Sequence, residues 1–379
     1  MSIYLDNAAT SYPKPEAVYL AVMAAMRDIG ASPGRGGYRR SLEAGRILFQ
    51  AREAAAGLFS VSDSSRVIFT HSATEALNLA LAGTLHPGDH VVTSSMEHNS
   101  LTRPLHSLKK LGVRLTVVQA DAAGTVDPAE VARAVTPQTR MIAMSHVSNV
   151  SGTIQPITDI GTVAREAGVL FLLDAAQSAG SVPVDMASIG IDLLAVPGHK
   201  GLYGPQGTGM LIAAPHVQLK PLLSGGTGTD SGSVEQPDVM PDGFEAGTHN
   251  LPGIAGLLAG IGFVTARGVM EIGRHEQELV GLAMDLLGEI PGIRLAGPEK
   301  GIPRGSVLSF TAAGTDPASL SFELDRRFDI SVRSGLHCAP GAHRTLGTFP
   351  AGTLRMSPGA FSTREDIELF ATAVRECLK

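Results

Sequence analysis

Two residues in the middle of the chain are hard to account for by packing. In VLFLLDAAQS an apolar run leads straight into Asp174. A carboxylate at the end of a buried strand is expensive to desolvate unless a cation or hydrogen-bond donors meet it. Taken alone, such a residue is satisfied by a helix cap or an ion pair. Twenty-six residues later Lys200 stands in PGHKGLYGPQGTG, bracketed by Gly198, Gly201, Gly204, Gly207 and Gly209. Glycine there lets backbone crowd a flat ligand and desolvate the amine. A desolvated lysine amine is a nucleophile toward carbonyl carbon, although a lone lysine among glycines is usually solvated. Together the two residues meet both demands of pyridoxal phosphate: a carboxylate to keep the ring nitrogen protonated and an amine to hold the aldehyde.

Phosphate needs a cradle as well. THSATEALNLA places a small-residue turn between a strand ending in VIFT and a helix beginning near Thr74, whose first amides and positive dipole end suit an anion. Ser72 with Glu75 also fits an ordinary capping box, and both readings can hold. A further reactive group is Cys338, in RSGLHCAPGAH, with Arg333, His337 and His343 close in sequence. Breaking a Cβ–S bond needs a soft nucleophile to accept sulfur, and thiolate is the suitable side chain. That setting favours the thiolate, against the inert buried cysteine assigned to Cys377. His337, Cys338 and His343 are weak as metal ligands, because no further cysteine partner exists. Arg355, in TLRMSPG, is a bidentate handle for the carboxylate of an α-amino acid if it is not simply a surface residue. Arg35, in the glycine-flanked basic loop SPGRGGYRRS, is a second candidate at the mouth of such a site.

The elements that must position these groups follow from the apolar runs. VIFT (67–70), HVVTSS (90–95), VRLTVVQA (113–120), RMIAMSHV (140–147), VLFLLDAA (169–176) and GMLIAA (209–214) are continuous rather than alternating. This predicts strands buried on both faces, in a sheet between helical layers. Helical patterns cover Thr74–Ala82, Asn99–Leu111, Pro128–Ala134 and Ile157–Ala167. The expected architecture is α/β, a doubly wound and mostly parallel sheet with ligands beyond the carboxyl ends of its strands. After an extended Gly/Ser/Pro-rich loop around 224–248 come two helices, and then strands and helices that suggest a smaller α+β C-terminal domain. Residues 1–15 are expected to form an arm joining the small domain, 16–260 the large domain and 261–379 the small one.

Composition narrows the classes. With 30 Lys+Arg against 36 Asp+Glu and a net charge of -6, the chain lacks the clustered positive charge needed to grip nucleic acid or an anionic membrane. At 44% apolar and 17% charged it can bury a large core. The N-terminal segment carries Asp6 and no signal-peptide pattern, and the longest apolar stretch, Leu251 to Val264, is too short for a span. Two cysteines are too few for a disulfide framework, so a cytoplasmic location is expected.

With these segments assembled, the chain resembles the class V aminotransferase family, of fold type I pyridoxal-phosphate enzymes, and within it the cysteine desulfurase and selenocysteine lyase group. The matching segments run in the family's order: YLDNAATSYPKP (4–15), SATEALNLA (72–80), EHNS (97–100), HVSNVSGTIQPI (146–157), LLDAAQSAG (172–180), GHKGLYGPQGTG (198–209), FEAGTHN (244–250), RSGLHCAP (333–340) and LRMSPGAFSTREDI (354–367). The resemblance implies that Lys200 bonds covalently to the cofactor aldehyde, Asp174 pairs with the pyridinium nitrogen and His98 stacks on the ring and can transfer a proton. It implies Gln177 at the ring phenolate with Asn149 beside it, and Ala73, Thr74 and His199 at the phosphate. A threonine such as Thr248 reaches the phosphate in the neighbouring subunit, which implies a homodimer with shared sites. Cys338 would take sulfur from the substrate, leaving a persulfide and alanine, with Arg355, Asn149 and Arg35 at the substrate and possible delivery to a sulfur-acceptor protein. Three departures from the family pattern bear on this: Leu336 where a first His of His-His is usual, Pro197 where Ser or Thr is frequent, and His249 where Pro is common. Cysteine and selenocysteine remain open as substrates. The rival readings are other enzymes of this scaffold, such as transaminases, epimerases or kynureninase-like hydrolases, and an inactive sulfur-delivery scaffold.

Overall fold

The protein was analysed as a computed structural model, which describes residues 2–34, 36–228 and 232–379. A two-residue strand, β1 (Ile3–Tyr4), comes first, followed by α1 (Glu16–Ala24) and α2 (Arg39–Leu58). The apolar runs then appear as β2 (Val67–Thr70), β3 (His90–Ser94), β4 (Arg114–Val118), β5 (Thr139–Ser145), β6 (Leu170–Asp174), β7 (Leu193–Pro197) and β8 (Gly209–Ala213). Between them lie α3 (Ala73–Thr84), α4 (Asn99–Lys110), α5 (Pro128–Ala134), α6 (Ile157–Ala167) and α7 (Met186–Ile189). The strands form one seven-stranded sheet in the order β2-β8-β7-β6-β5-β3-β4. Only β8 runs antiparallel to its neighbours.

Continuous apolarity has its expected cause. Along β6, Phe171 and Leu173 face one core and Leu170 and Leu172 the other. Ala51 of α2 and Ile160 of α6 close the first layer, and Leu77 of α3 and Leu101 of α4 close the second. One strand departs from the expectation. In β4, at one edge of the sheet, only Val118 is buried, whereas β2 at the opposite edge is buried along its whole length.

The chain continues into α8 (Leu251–Arg267) and α9 (Val269–Gly288), which meet at Gly268 with φ +90°. α8 contributes Ile254, Leu257 and Ile261 to the first core, whereas α9 contributes Leu279, Val280 and Leu287 to a separate one. The chain goes on through β9 (Ile293–Ala296), β10 (Leu308–Ala312), α10 (Pro317–Phe328), β11 (Ile330–Ser331), β12 (Arg333–Gly335), α11 (Pro340–Thr345), β13 (Thr353–Met356) and α12 (Arg364–Cys377), of which all but β12 and α11 supply side chains to that second core. The sheet β12-β13-β10-β9 is antiparallel, and β11 pairs in parallel with β1, so Ile3 and Leu5 join this core. Among the described residues no single helix is long and apolar enough to cross a membrane.

Candidate active site

β2, β3, β5, β6 and β7 all end at one edge of the sheet, and their carboxyl ends open on a cleft of about 230 Å³. Ser145 closes β5, Asp174 closes β6 and Pro197 closes β7. Asp174 is 3% exposed; one of its oxygens accepts the Ala176 amide at 2.9 Å. Burial raises its pKa, while the Ala176 bond and the charge of Lys200 pull it down. Lys200 lines the same cleft, and its Nζ has no hydrogen-bond partner among the described residues. Burial brings its amine down to about 8, with Asp174 acting the other way and the Arg355 and Arg333 charges adding to the fall. The sequence-predicted partners thus share one cavity.

The loop carrying Lys200 is held by the N-terminal arm. The carbonyl of His199 accepts from the Ser11 amide at 3.0 Å, the Thr10 hydroxyl at 3.1 Å and Lys14 Nζ at 3.0 Å. The Ser11 hydroxyl donates to the Lys200 carbonyl at 2.9 Å. Lys14, half-buried in this grip, is itself lowered to about 8 by burial.

At the other end of the cleft α3 begins. The Ser72 side chain accepts the Glu75 amide at 3.2 Å, one half of the expected capping box. The reciprocal half falls one residue earlier, since Glu75 accepts the His71 amide at 2.7 Å. The amides of Ala73 and Thr74 have no intrahelical acceptor and line the cleft. The buried Nδ1 of His199 has no partner among the described residues. A flat anionic aldehyde fits this set of groups: free amides and an orphaned imidazole nitrogen for its phosphate, an unpaired amine for its carbonyl, and a buried carboxylate for a ring cation.

His98 caps α4. Its Nδ1 accepts the Ser100 amide at 3.1 Å, so the ring proton sits on Nε2. Burial, then the charges of Lys200 and three arginines, lowers it to about 4, leaving a neutral imidazole at physiological pH. Gln177 lines the cleft and donates to the Ala8 carbonyl at 3.0 Å. Asn149 also lines it and ties the two halves of the site, donating to the His337 carbonyl at 2.7 Å. Arg355, 1% exposed, reaches the cleft from β13. It donates to the Asn149 carbonyl at 3.1 Å and to Asp6 at 2.6 Å.

Cys338 is exposed beside this cleft, in a neighbouring groove along α3 and α4 that shares Thr74, His98 and Ser100 with it. His337 and Cys338 adopt φ of +46° and +58°, a left-handed turn that non-glycine residues seldom take. The Cys338 carbonyl accepts the Asn99 amide at 2.7 Å. Its sulfur lies 3.7 Å from Arg333 Nη2. The electrostatic expectation for this thiol needs correction: burial lowers His337 to about 2 and His343 to about 4, so both rings are neutral, and Arg333 supplies the nearby positive charge.

One further expected residue among those described, Thr248, is not in the cleft. It is exposed on the far rim of a separate pocket that also holds His71 and Glu75. Arg35 lies outside the described residues. Conversely, three contributors carried no sequence assignment. Asp6 pairs with Arg355, and Lys14 grips the His199 carbonyl. Glu97 lies under the cleft, where Ser145 donates through both its amide and its hydroxyl, at 2.8 and 2.7 Å. Burial pushes Glu97 up to about 7 against those hydrogen bonds, with the Asp174 charge adding to the rise. The strings YLDNAATSYPKP and EHNS contain all three, but nothing local distinguishes these charges from solvated ones.

Comparison with known proteins agrees with this arrangement. A family model described as aminotransferase class-V matches residues 3–370. A probable cysteine desulfurase of Methanothermobacter thermautotrophicus is 38% identical over 99% of this chain and 94% of that protein. A cysteine desulfurase of Yersinia pseudotuberculosis is 32% identical over 100% of this chain and 93% of its own length. Among solved structures, an apo cysteine desulfurase from Thermococcus onnurineus superposes with a TM-score of 0.93 at 32% identity, covering 100% of this chain and 94% of that one.

Proposed function

The chain belongs to the aminotransferase class-V family, and from that premise we propose that it is a pyridoxal-phosphate-dependent cysteine desulfurase, converting L-cysteine to L-alanine with the sulfur carried as a persulfide on Cys338. The observation that carries this reading is the shared cleft of Asp174 and an unpartnered Lys200, with an exposed thiol on the adjoining turn. Lys200 would hold the cofactor and Asp174 its ring nitrogen. Ala73, Thr74 and His199 would take the phosphate, Gln177 the phenolate, and His98 and Asn149 the ring's surroundings. When bound, the cofactor supplies an electron-withdrawing ring that stabilises negative charge at the substrate Cα.

The chain's own groups do the rest. Arg355, already within reach of Asp6 and the Asn149 carbonyl, receives the substrate carboxylate. Burial of the site excludes water and leaves about a tenth of Lys200 neutral at pH 7, far more than for an ordinary lysine, which suits the amine to accept the Cα proton and to return it. Cys338 Sγ, 3.7 Å from Arg333 Nη2, attacks the substrate sulfur. The Cβ–S bond breaks with its electron pair staying on carbon, which is protonated to alanine, and Cys338 retains the sulfur. A thiol acceptor, protein or small molecule, then removes it.

The exposed position of Thr248, away from Lys200 of its own chain, supports a homodimer in which Thr248 serves the partner's cofactor. Two free cysteines support work in a reducing compartment such as the cytoplasm. The deciding experiment is an absorption spectrum of the purified protein followed by product analysis with cysteine, cysteine sulfinate and selenocysteine. Visible absorption with alanine and sulfide formed from cysteine is expected. A colourless protein, or turnover of selenocysteine without cysteine, would overturn the reading.

A further inference from the structure

The unusual His249 of FEAGTHN has a definite structural role. Its Nε2 lies 2.6 Å from the carboxylate of Glu245, which is 3% exposed on its side chain. Glu245 is already compensated. Arg52 donates to both its oxygens, at 2.7 and 2.6 Å, and the Phe69 amide donates as well. The Arg52 guanidinium also lies 4.5 Å from the Phe69 ring centroid, so the anchor is fixed to α2 and β2. A bidentate arginine satisfies a buried carboxylate by itself. The fourth donor, His249, joins Arg52 in holding the Glu245 carboxylate below its ordinary value against burial.

It also sets the shape of the chain between the two residues. The turn pivots at Gly247, with φ +108°, whose amide donates to the Gly226 carbonyl at 2.9 Å. Beyond it the His249 carbonyl accepts the Leu251 amide at 2.9 Å where α8 begins, and Asn250 caps that helix through the Gly253 amide. Every fixed point brackets Thr248, which is exposed and has no hydrogen-bond partner among the described residues. Holding a free hydroxyl on a closed turn removes ordering cost from whatever it later binds.

We propose that His249 is a positioning residue that closes the 245–249 turn onto the buried Arg52–Glu245 anchor and so presents the Thr248 hydroxyl to the cofactor phosphate of the partner subunit. The assignment rests on the shared-site reading of Thr248 given above. It is tested by titrating the apo dimer with pyridoxal phosphate, following visible absorption, with oligomeric state and apo melting temperature measured alongside. His249→Ala is expected to weaken cofactor affinity about tenfold, the scale of losing one charge-assisted hydrogen bond. The dimer and the apo melting temperature should be retained. His249→Gln, which keeps a donor, should recover most of the affinity. Thr248→Ala should show a similar loss, and His249→Ala added to it should cause no further loss, since the two act through one contact. Unchanged affinity in His249→Ala while Thr248→Ala is weakened, or additive losses, would overturn the clamp alone. Unchanged affinity in Thr248→Ala would overturn the shared-site reading and the clamp with it. A lowered apo melting temperature with loss of the dimer in His249→Ala would assign the residue to the fold instead.

Discussion

At the scale of single residues, the site works by placing charges where water cannot answer them. Lys200 titrates near about 8 because burial outweighs the attraction of Asp174. The neutral amine is the nucleophile, so the rate at which apo protein captures pyridoxal phosphate should rise with pH through about 8, well below the ordinary lysine value near ~10.4. Asp174→Asn removes the charge that holds the proton on, so its midpoint should move lower. Stopped-flow reconstitution across pH measures both, and a midpoint above 10 would contradict the assigned burial. Lys200→Ala should lose the visible absorption altogether. Cys338→Ala should keep it while sulfide release falls at least a hundredfold, the range expected for removal of a nucleophile. The residue types and their order could be read from the sequence, since Asp174 and Lys200 stand in strings whose apolarity and glycine content are abnormal. Asp6, Lys14 and Glu97 could not, because a charge becomes special only when a distant element desolvates it.

At the scale of elements, the phosphate cradle depends on how closely β8 approaches the start of α3. A Cβ on Gly209 would stand 2.7 Å from the Ser72 carbonyl carbon and 2.9 Å from its Cα, and that backbone has no side chain to swing away. Gly209→Ala should displace the first turn of α3, weakening cofactor affinity and costing about 1–3 kcal/mol of stability. Denaturant titration and cofactor binding measured on the same protein test this. Unaltered affinity would show that the cradle tolerates the shift. Strands and helices were legible here because their apolar periods are strong. The exposure of β4 was not, since LTVV reads like any buried run until the fold shows which strand is left uncovered; β2, also at an edge, is buried throughout. The capping of α3 shows the same limit: Ser72 and Glu75 have the right spacing, yet Glu75 turns to His71.

For the molecule as a whole, the seam between the two cores carries buried polar groups that set its response to pH and mutation. Arg304, 4% exposed, donates to the Ser151 carbonyl of the large sheet's loops and to the Pro298 and Ala296 carbonyls of the other core. Arg304→Met should destabilise by about 3 kcal/mol by leaving those carbonyls unpaired, with a matching fall in denaturant midpoint. Glu276 of α9, fully within this seam, is pushed up from 4.5 to about 8 by burial, against hydrogen bonds from Ser306 and Ser181. Between those values the unfolded chain has released its proton and the folded one has not. Stability relative to Glu276→Gln should therefore fall by roughly 1 kcal/mol for each pH unit from 4.5 to 8 and then level off. Denaturation of both proteins across that range decides it, and a flat difference would mean that the carboxyl is not held protonated. The sequence alone determined the family, the layered sheet and the candidate residues for the site, because apolar period and residue chemistry are local properties of the chain. Tertiary structure decided which charges are buried, which histidines stay neutral, and why Thr248 stands apart from Lys200 of its own chain. Those outcomes depend on desolvation and distance between segments that meet only when the two cores close on each other.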